Sequence, residues 1–321
     1  PVMYLVMYFL TLAIYFVGAF LIKDALMAEK IGLFGDMVVF SSYAMQIIMS
    51  FLMLAMIFMM LPRAEVSAER INEVLDTEIS IKDGKVNKNL TDERGTVEFK
   101  NVSFKYPDAD EYLLKDISFK ANKGETVAFI GSTGSGKSTL INLVPRFYDV
   151  TDGEILIDGV NVKDYTQEFL HNKLGYVSQK AVIFNDTVKN NVSYGENGKG
   201  EISEEKIKKA IEVAQGKEFI EKMENQYDTE MSQGGTNVSG GQKQRISIAR
   251  AIAREPEIYI FDDSFSALDY KTDSVLRKEL KKYTKDATTL IVAQRIGTIM
   301  NADKIIVLDE GKVVGMGTHK E

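Results

Sequence analysis

Eight consecutive residues, Gly131 to Ser138, have the composition of a loop that binds phosphate. They read Gly-Ser-Thr-Gly-Ser-Gly-Lys-Ser, with glycines at the first and sixth positions followed by a lysine and a hydroxyl residue. In such a loop, backbone N–H groups and the lysine contact phosphate oxygens at the start of a helix. By itself, the pattern predicts a nucleotide site and nothing narrower.

Two adjacent carboxylates follow an apolar run further along the chain. Residues Ile258 to Phe261 precede Asp262 and Asp263. In a parallel sheet that is buried on both faces, carboxylates at the carboxyl end of a strand project into the ligand crevice. Because Mg²⁺ prefers oxygen ligands, we expect Asp262 to hold Mg²⁺, directly or through water, together with the hydroxyl of Ser138.

A third segment has the sequence of a helix start that is open to an anion. Ser239 is followed by Gly240, Gly241 and Gln242, and a serine with a glutamine three residues later is a capping box. The two glycines leave backbone N–H groups accessible to a negative charge. The alternative interpretation is an ordinary helix start with a flexible turn.

The elements that would position these residues follow from the apolar pattern. Residues Thr126 to Ile130 are predicted to form a buried strand that leads into the glycine-rich loop, with a helix starting near Lys137. A second strand is predicted from Leu174 to Ser178, and alternating apolar residues from Val97 to Tyr106 indicate a third. This order predicts an α/β fold with a parallel sheet.

The N-terminal part has a different composition. Residues 1–22 and 37–61 carry no charged side chain, and a short polar loop lies between them. Both runs are long enough to cross a bilayer as helices, so they predict a transmembrane hairpin. A signal peptide and buried helices of a soluble protein are the alternatives. Since the chain opens on Pro1, we expect it to be a fragment of a longer protein.

The second apolar run is expected to continue as an amphipathic helix through Leu75. Residues 77–95 are predicted to be a linker, and the soluble domain is expected to start near Thr96. The predicted division is a membrane part at 1–61, a helix extension and linker at 62–95, and an α/β domain at 96–321. The charged run Ile202 to Met223 is predicted to be helical, within a helical subdomain at about residues 180–255.

Composition excludes several classes of function. The chain has 39 basic and 46 acidic residues and a net charge of −7, which argues against nucleic acid as a partner because phosphate backbones are bound by clustered Lys and Arg. It has no cysteine, so a disulfide scaffold and a thiolate metal site are excluded.

Together, the segments Gly131 to Thr139, Val238 to Gln242 and Ile258 to Asp269 resemble the nucleotide-binding domain of an ATP-binding cassette (ABC) transporter. The preceding hairpin resembles the last two of six spans in multidrug-type exporters. The resemblance implies ATP and Mg²⁺ as cofactors and a second subunit, since each site joins the phosphate loop of one subunit to the signature loop, here residues 238–242, of the other. It also implies an interface loop at residues 266–269.

The resemblance further assigns roles to individual positions. Tyr106 is implied to stack on adenine, and Gln179 to contact magnesium and water. The residues implied to bind nucleotide or its metal are Tyr106, Gly131, Ser132, Thr133, Gly134, Ser135, Gly136, Lys137, Ser138, Thr139, Gln179, Asp262, Ser239, Gly240, Gly241 and Gln242. Ser138, Gln179 and Asp262 are the implied metal ligands, and Asp263, Gln294 and Gln179 occupy the catalytic positions.

Two positions depart from the family pattern. Active members resemble one another in having glutamate where this chain has Asp263, and a displacement of about 1 Å costs around a hundredfold in rate. They typically have histidine where this chain has Gln294, and His171 and His319 lie elsewhere in the sequence. A glutamine orients water but brings no imidazole charge to the γ-phosphate. The resemblance therefore predicts slow hydrolysis at this chain's own phosphate loop.

These expectations give three hypotheses of different classes. The first is an exporter subunit in the cell's inner (plasma) membrane, with its ATP-binding domain in the cytoplasm, paired with a different half-transporter that bears the glutamate. The alternative within this hypothesis is a homodimer that is active despite having Asp263 in place of glutamate. The second is a non-catalytic regulatory or gating subunit in which bound ATP only stabilises the assembly. The third, a soluble chromosome or repair ATPase, is disfavoured by the uncharged spans.

Overall fold

The computed structural model describes residues 2–195 and 198–321. Contacts divide the chain into two compact units, the first ending at Ile79 and the second extending from Ser80 to Glu321. Each unit is described by itself below.

The first unit is a pair of long helices, as the two uncharged runs predict. α1 spans Val2–Asp24 and α2 spans Lys30–Leu75. Both are long and apolar enough to cross a membrane, and most of their large apolar side chains are exposed. The predicted continuation of the second run to Leu75 is confirmed, because α2 passes without interruption through Pro62.

The second unit contains two main sheets. A four-stranded antiparallel sheet has the order β2-β1-β4-β5, and a six-stranded sheet has the order β12-β11-β3-β10-β9-β6. In the larger sheet, β11, β3, β10, β9 and β6 are parallel, and β12 pairs antiparallel at the edge. Strands β7 and β8 form a separate short ribbon. The strand bounds are Val97–Phe104 (β1), Leu114–Ala121 (β2), Thr126–Gly131 (β3), Asp152–Ile157 (β4), Val160–Asn161 (β5), Leu174–Val177 (β6), Asp186–Thr187 (β7), Glu230–Met231 (β8), Ile258–Asp262 (β9), Thr288–Val292 (β10), Lys304–Asp309 (β11) and Lys312–Gly317 (β12).

The parallel sheet is buried on both faces, which explains its continuous apolar strands. Along β3, Val127 and Phe129 face a core shared with the antiparallel sheet, whereas Ala128 faces a second core beneath the helices. Alternate residues of a strand point to opposite faces, so the strand contributes apolar side chains to both cores. The predicted strands at 126–130, 174–178 and 258–261 are confirmed to within one residue.

Helices cover the other face of the parallel sheet. The helices of the second unit within the described residues are Lys137–Asn142 (α3), Gln167–Lys173 (α4), Val188–Ser193 (α5), Glu204–Val213 (α6), Lys217–Glu221 (α7), Gly240–Ala253 (α8), Tyr270–Tyr283 (α9) and Ile296–Ile299 (α10). The run Ile202–Met223, which is predicted to be helical, forms two helices, α6 and α7. Gln215 adopts φ 58°, and this left-handed turn separates α6 from α7.

Residues 80–95 lie in the second unit and contact its surface. The backbone N–H of Gly84 donates to Tyr165 O, and the N–H of Val86 donates to Asp164 O at 2.8 Å. Val86 and Tyr165 form an isolated parallel bridge. Although this stretch has the composition of a linker, its backbone is hydrogen-bonded to the domain that follows.

Candidate nucleotide site

The candidate site is built at the carboxyl ends of four neighbouring strands. In the order β3-β10-β9-β6, these ends lead respectively to the glycine-rich loop, Gln294, the Asp262–Asp263 pair and Gln179. Since parallel strands all end at the same edge of a sheet, residues distant in sequence converge there. The crevice predicted from the apolar pattern therefore contains the expected chemical groups.

The glycine-rich loop has a backbone that requires glycine. Gly136 is the residue before α3 and has φ 93°, a conformation that L side chains rarely adopt. A Cβ at this position would lie 2.6 Å from Leu114 Cδ2. The conformation therefore favours glycine at this position, and a Cβ would also require the Leu114 side chain to shift.

Lys137 is buried inside the turn that it follows. Its Nζ donates to the carbonyl oxygens of Gly131 at 3.0 Å and Ser132 at 2.7 Å, and to Ser135 Oγ at 3.3 Å. An ammonium group enclosed by its own loop is positioned to donate the same hydrogen bonds to phosphate oxygens.

The predicted metal pair is brought together. Ser138 Oγ donates to Asp262 Oδ1 at 2.8 Å across β9 and α3, and Asp262 is only 5% exposed. Burial raises the pKa of Asp262, and the neighbouring charge of Asp263 raises it further, while the hydrogen bond from Ser138 opposes the shift. A hydroxyl and a carboxylate at this distance suit Mg²⁺, which keeps phosphate and water as its remaining ligands.

Residues 2–195 and 198–321 contain no cluster of three or more His, Cys, Asp or Glu side chains that would hold a metal by themselves. The implied ligand set contains only one carboxylate, that of Asp262, and this fits the finding because Mg²⁺ is usually bound by one or two carboxylates plus substrate phosphates.

Asp263 lies at the meeting point of two side-chain amides. Its Oδ2 accepts a hydrogen bond from Gln294 Nε2 at 2.9 Å and another from Gln179 Nε2 at 3.3 Å. Ser266 Oγ donates to its backbone carbonyl at 2.8 Å. Burial raises the pKa of Asp263, and the hydrogen bond from Gln179 is the largest opposing influence. The three residues that the resemblance places at catalytic positions thus form one hydrogen-bonded group.

Tyr106 follows β1 and reaches the start of α3. Its hydroxyl forms a hydrogen bond of 3.0 Å with Thr139 Oγ1. The ring of Tyr148 packs edge-on against it, with centroids 5.2 Å apart at 89°. Tyr148 was not predicted from the sequence, where it is one of many aromatic residues with no motif around it.

The capping box at Ser239 is confirmed in both directions. Gln242 N donates to Ser239 Oγ at 3.3 Å, and Ser239 N donates to Gln242 Oε1 at 2.8 Å. A Cβ at Gly241 would lie 3.2 Å from Ala267 O, so the cap lies beside the predicted interface loop. No hydrogen bond joins the cap to the glycine-rich loop within the described part of the chain.

Two further residues that the sequence did not reveal hold the strand ends in place. The fully buried hydroxyl of Ser264 donates to Val177 O at 2.9 Å and ties the end of β9 to the end of β6. Arg295 donates to the carbonyls of Ser266 at 3.0 Å and Leu268 at 3.2 Å. These bonds position the Asp263 group and the interface loop.

Comparison with known proteins agrees with this geometry. Residues 114–266 match the family model described as ABC transporter. Uncharacterized ABC transporter ATP-binding proteins of Mycobacterium bovis and Mycobacterium tuberculosis are 45% identical over 287 residues, which is 89% of this chain and 49% of the relative. A Staphylococcus aureus protein, provisionally named a multidrug export ATP-binding/permease protein, is 45% identical over 78% of this chain and 43% of its own length.

The solved structure of a bacterial Atm1-family ABC exporter with ATP bound superposes with a TM-score of 0.78 at 36% identity, covering 89% of this chain and 50% of that one. The chain spans about half the length of the curated relatives it matches. The chain thus consists of two N-terminal apolar helices and an α/β ABC ATPase domain, and this exporter is a structural neighbour of it. The chain therefore carries the ATP-binding domain of an ABC transporter.

Proposed function

We propose that this chain is part of an ABC exporter subunit that binds Mg-ATP between two subunits and couples binding and hydrolysis to movement of a substrate across a membrane. In this proposal, the glycine-rich loop, Lys137 and Tyr106 hold the nucleotide, and α1 and α2 are membrane spans. Ser138, Asp262 and Gln179 would hold Mg²⁺, which would supply positive charge to the phosphate oxygens.

We further infer that the chain's own site hydrolyses ATP slowly. The observation that carries this inference is the double hydrogen bond to Asp263 Oδ2 from Gln294 and Gln179. A carboxylate engaged by two amides is a weaker acceptor for a proton of the attacking water, and its shorter side chain lies further from that water. Gln294 supplies an amide, which brings no positive charge to the γ-phosphate.

The capping box at Ser239, by contrast, has none of the substitutions that would slow hydrolysis. Its helix start offers backbone N–H groups and a serine hydroxyl, which are donors suited to the γ-phosphate of a nucleotide held by a second subunit. We therefore propose that the functional assembly is a heterodimer. In it, this chain's capping box completes an active site whose phosphate loop and glutamate come from the partner half-transporter.

An asymmetry between two substitutions tests this proposal. In the full-length protein co-purified with its partner, we expect Ser239→Ala to lower ATP turnover at least about tenfold more than Lys137→Ala does. The reason is that Ser239 serves the fast site and Lys137 the slow one, and a single donor to developing charge is worth about a hundredfold or more in rate.

The matched control for the lost helix cap is Ser203→Ala. Ser203 caps α6 through its side chain, which accepts from Lys206 N, and lies outside the site. Steady-state phosphate release measures all three variants. Equal losses from Ser239→Ala and Lys137→Ala would indicate two equivalent sites and contradict the heterodimer, as would brisk turnover by this protein without a partner.

A further inference from the structure

The structure assigns to Lys173 a positioning role that no motif indicates. We propose that Lys173 fastens residues 81–95 to the ATP-binding domain, so that this segment moves with the domain and passes its movement along the chain, through residues 76–80, to the end of α2. The role in transmission rests on the proposed function, whereas the fastening itself does not.

Lys173 is the last residue of α4, and its ammonium group is almost completely enclosed. The side chain is 4% exposed, and that of its partner Asp158 is 3% exposed. Nζ donates to Asp158 Oδ2 at 2.7 Å, Glu257 Oε2 at 2.8 Å and Asn89 Oδ1 at 2.7 Å. All three N–H donors of the ammonium group are used, and the ring of Phe169 lies 5.3 Å away on another side.

These partners come from separate parts of the domain. Asp158 lies in the turn between β4 and β5, Glu257 precedes β9, and Asn89 belongs to the segment before β1. A buried ammonium group costs several kcal/mol in desolvation unless its hydrogen bonds are complete. Because Asn89 supplies the third acceptor, docking of the segment completes the hydrogen bonds of this buried charge.

Asp158 extends the network back to the same segment. Its Oδ1 accepts from Thr96 N at 3.0 Å, and its backbone carbonyl accepts from Thr91 Oγ1 at 2.8 Å. The ion pair of Lys173 and Asp158 therefore holds residues 89–96 through three different contacts.

A second group of contacts fixes the beginning of the segment. Asp83 Oδ1 accepts from Gln167 N, the first residue of α4, at 2.8 Å. Ile81 O accepts from Gln167 Nε2 at 3.3 Å. Gly84 approaches Asp164 so closely that a Cβ would overlap the Asp164 carbonyl oxygen. The two ends of α4 thus hold the two ends of the segment.

The position of this anchor gives it a mechanical consequence. α2 ends at Leu75, and the hydrogen bonds to the domain begin at Ile81. Only the few residues between them are left to absorb a change of direction, and a joint this short transmits displacement better than a free linker of about twenty residues would. Without both groups of contacts, the joint would extend to the start of β1.

Hydrogen exchange followed by mass spectrometry tests the proposal on the full-length protein. Asn89→Ala removes the linker-side acceptor and leaves the Lys173–Asp158 pair intact, and Asn87→Ala is the matched control, since Asn87 is exposed and has no side-chain hydrogen bond among the described residues. We expect the amides of Gly84, Lys85 and Val86 to exchange at least about tenfold faster in Asn89→Ala and unchanged in Asn87→Ala.

Gly84→Ala is an independent variant that disturbs the other end of the segment and should accelerate exchange over residues 81–86 in the same way. Lys173→Met removes the anchor itself but leaves the buried carboxylate of Asp158 without a cationic partner, so the thermal unfolding of this variant is also measured. If Lys173→Met fails to fold, the first two variants decide the question.

The transmission is tested by adding Mg-ATP. We expect exchange in residues 66–75 to respond to Mg-ATP in the unmodified protein, and this response to disappear in Asn89→Ala with the ATP affinity unchanged. Unchanged exchange at 81–95 in all variants, an ATP response that survives in Asn89→Ala, or no response in the unmodified protein would each overturn the proposal. Failure of the proposed function is seen separately, as absence of ATP binding.

Discussion

Asp263 combines a short side chain with an unusual backbone. It adopts φ 45°, a left-handed conformation that aspartate tolerates better than most residues because its short polar side chain bonds locally. Its carboxylate is held by Gln294 and Gln179. The two departures from the family pattern are therefore in direct contact, and we expect their effects to depend on one another.

Restoring both positions should accelerate the site. The double substitution Asp263→Glu with Gln294→His is expected to raise ATP turnover at this chain's own phosphate loop by up to about a hundredfold, because it moves the carboxylate by roughly 1 Å and supplies an imidazole. Asp263→Glu alone should gain less, since Gln294 still occupies the carboxylate.

Turnover is measured in the background of Ser239→Ala, which suppresses the partner's site in the proposed heterodimer. The two single variants and the double variant form a cycle that yields the coupling between the positions. Additive effects of the two substitutions would contradict the direct interaction, and no gain in the double variant would contradict the proposal that this site is slow because of these residues.

Asp262 gives a prediction about pH. Burial raises its pKa from the ordinary value of 3.8, so the protonated form is more favoured in the folded state than in the unfolded chain. The contribution of this group to stability is then present at low pH and is lost as the pH rises from about 4 through the raised pKa. Without nucleotide and Mg²⁺, Asp262→Asn should therefore raise the unfolding temperature at neutral pH, and the gain should shrink towards pH 4.

In the presence of Mg-ATP, we expect the unmodified protein to be more stable than Asp262→Asn. With Mg-ATP present, the unmodified protein gains stability from binding and Asp262→Asn gains little, because the variant lacks a metal ligand. Thermal unfolding across pH 4 to 8, with and without Mg-ATP, measures both effects. A variant that is less stable than the unmodified protein at neutral pH without nucleotide would show that the Ser138 hydrogen bond outweighs the cost of burial.

At the scale of elements, the sequence predicted what local chemistry determines. The capping box of Ser239 and Gln242 is formed by residues three apart, and both of its hydrogen bonds are observed. The buried strands ending near Gly131 and Asp262 have apolar runs because the sheet is covered on both faces. Features that depend on residues close together in the sequence were therefore predicted correctly.

The remaining features depend on contacts between distant residues. Gln294 and Asp263 are in contact because β9 and β10 are adjacent in the sheet. The sequence of either strand alone does not indicate which strands are its neighbours. The same holds for Lys173. In the sequence it cannot be distinguished from a surface lysine, and only the fold brings Asn89, Asp158 and Glu257 around it. Residues 80–95 have the composition of a linker, yet their backbone hydrogen bonds come from α4 and from the turn before it.

At the scale of the whole molecule, two units of opposite surface character share one chain. The helices of the first unit expose large apolar side chains along their length, such as Phe9 at 71% and Met59 at 69%. The second unit has two extensive apolar cores. An apolar surface of this extent is stable only against lipid or against other apolar helices.

This contrast predicts how the protein partitions. The full-length protein should remain in the membrane pellet after extraction with alkaline carbonate, because its spans are held by the cost of exposing apolar surface to water. A shortened protein that begins at Ser80 should instead be released to the supernatant and still bind ATP, since the nucleotide residues and the Lys173 anchor all lie after that point.

Fractionation followed by binding of a fluorescent ATP analogue measures both outcomes, with Lys137→Ala in the shortened protein as the control for specific binding. Release of the full-length protein by carbonate would favour the soluble ATPase hypothesis over the exporter. Retention of the shortened protein in the pellet would mean that the second unit has its own attachment to the membrane, and α1 and α2 would then not be the main anchor.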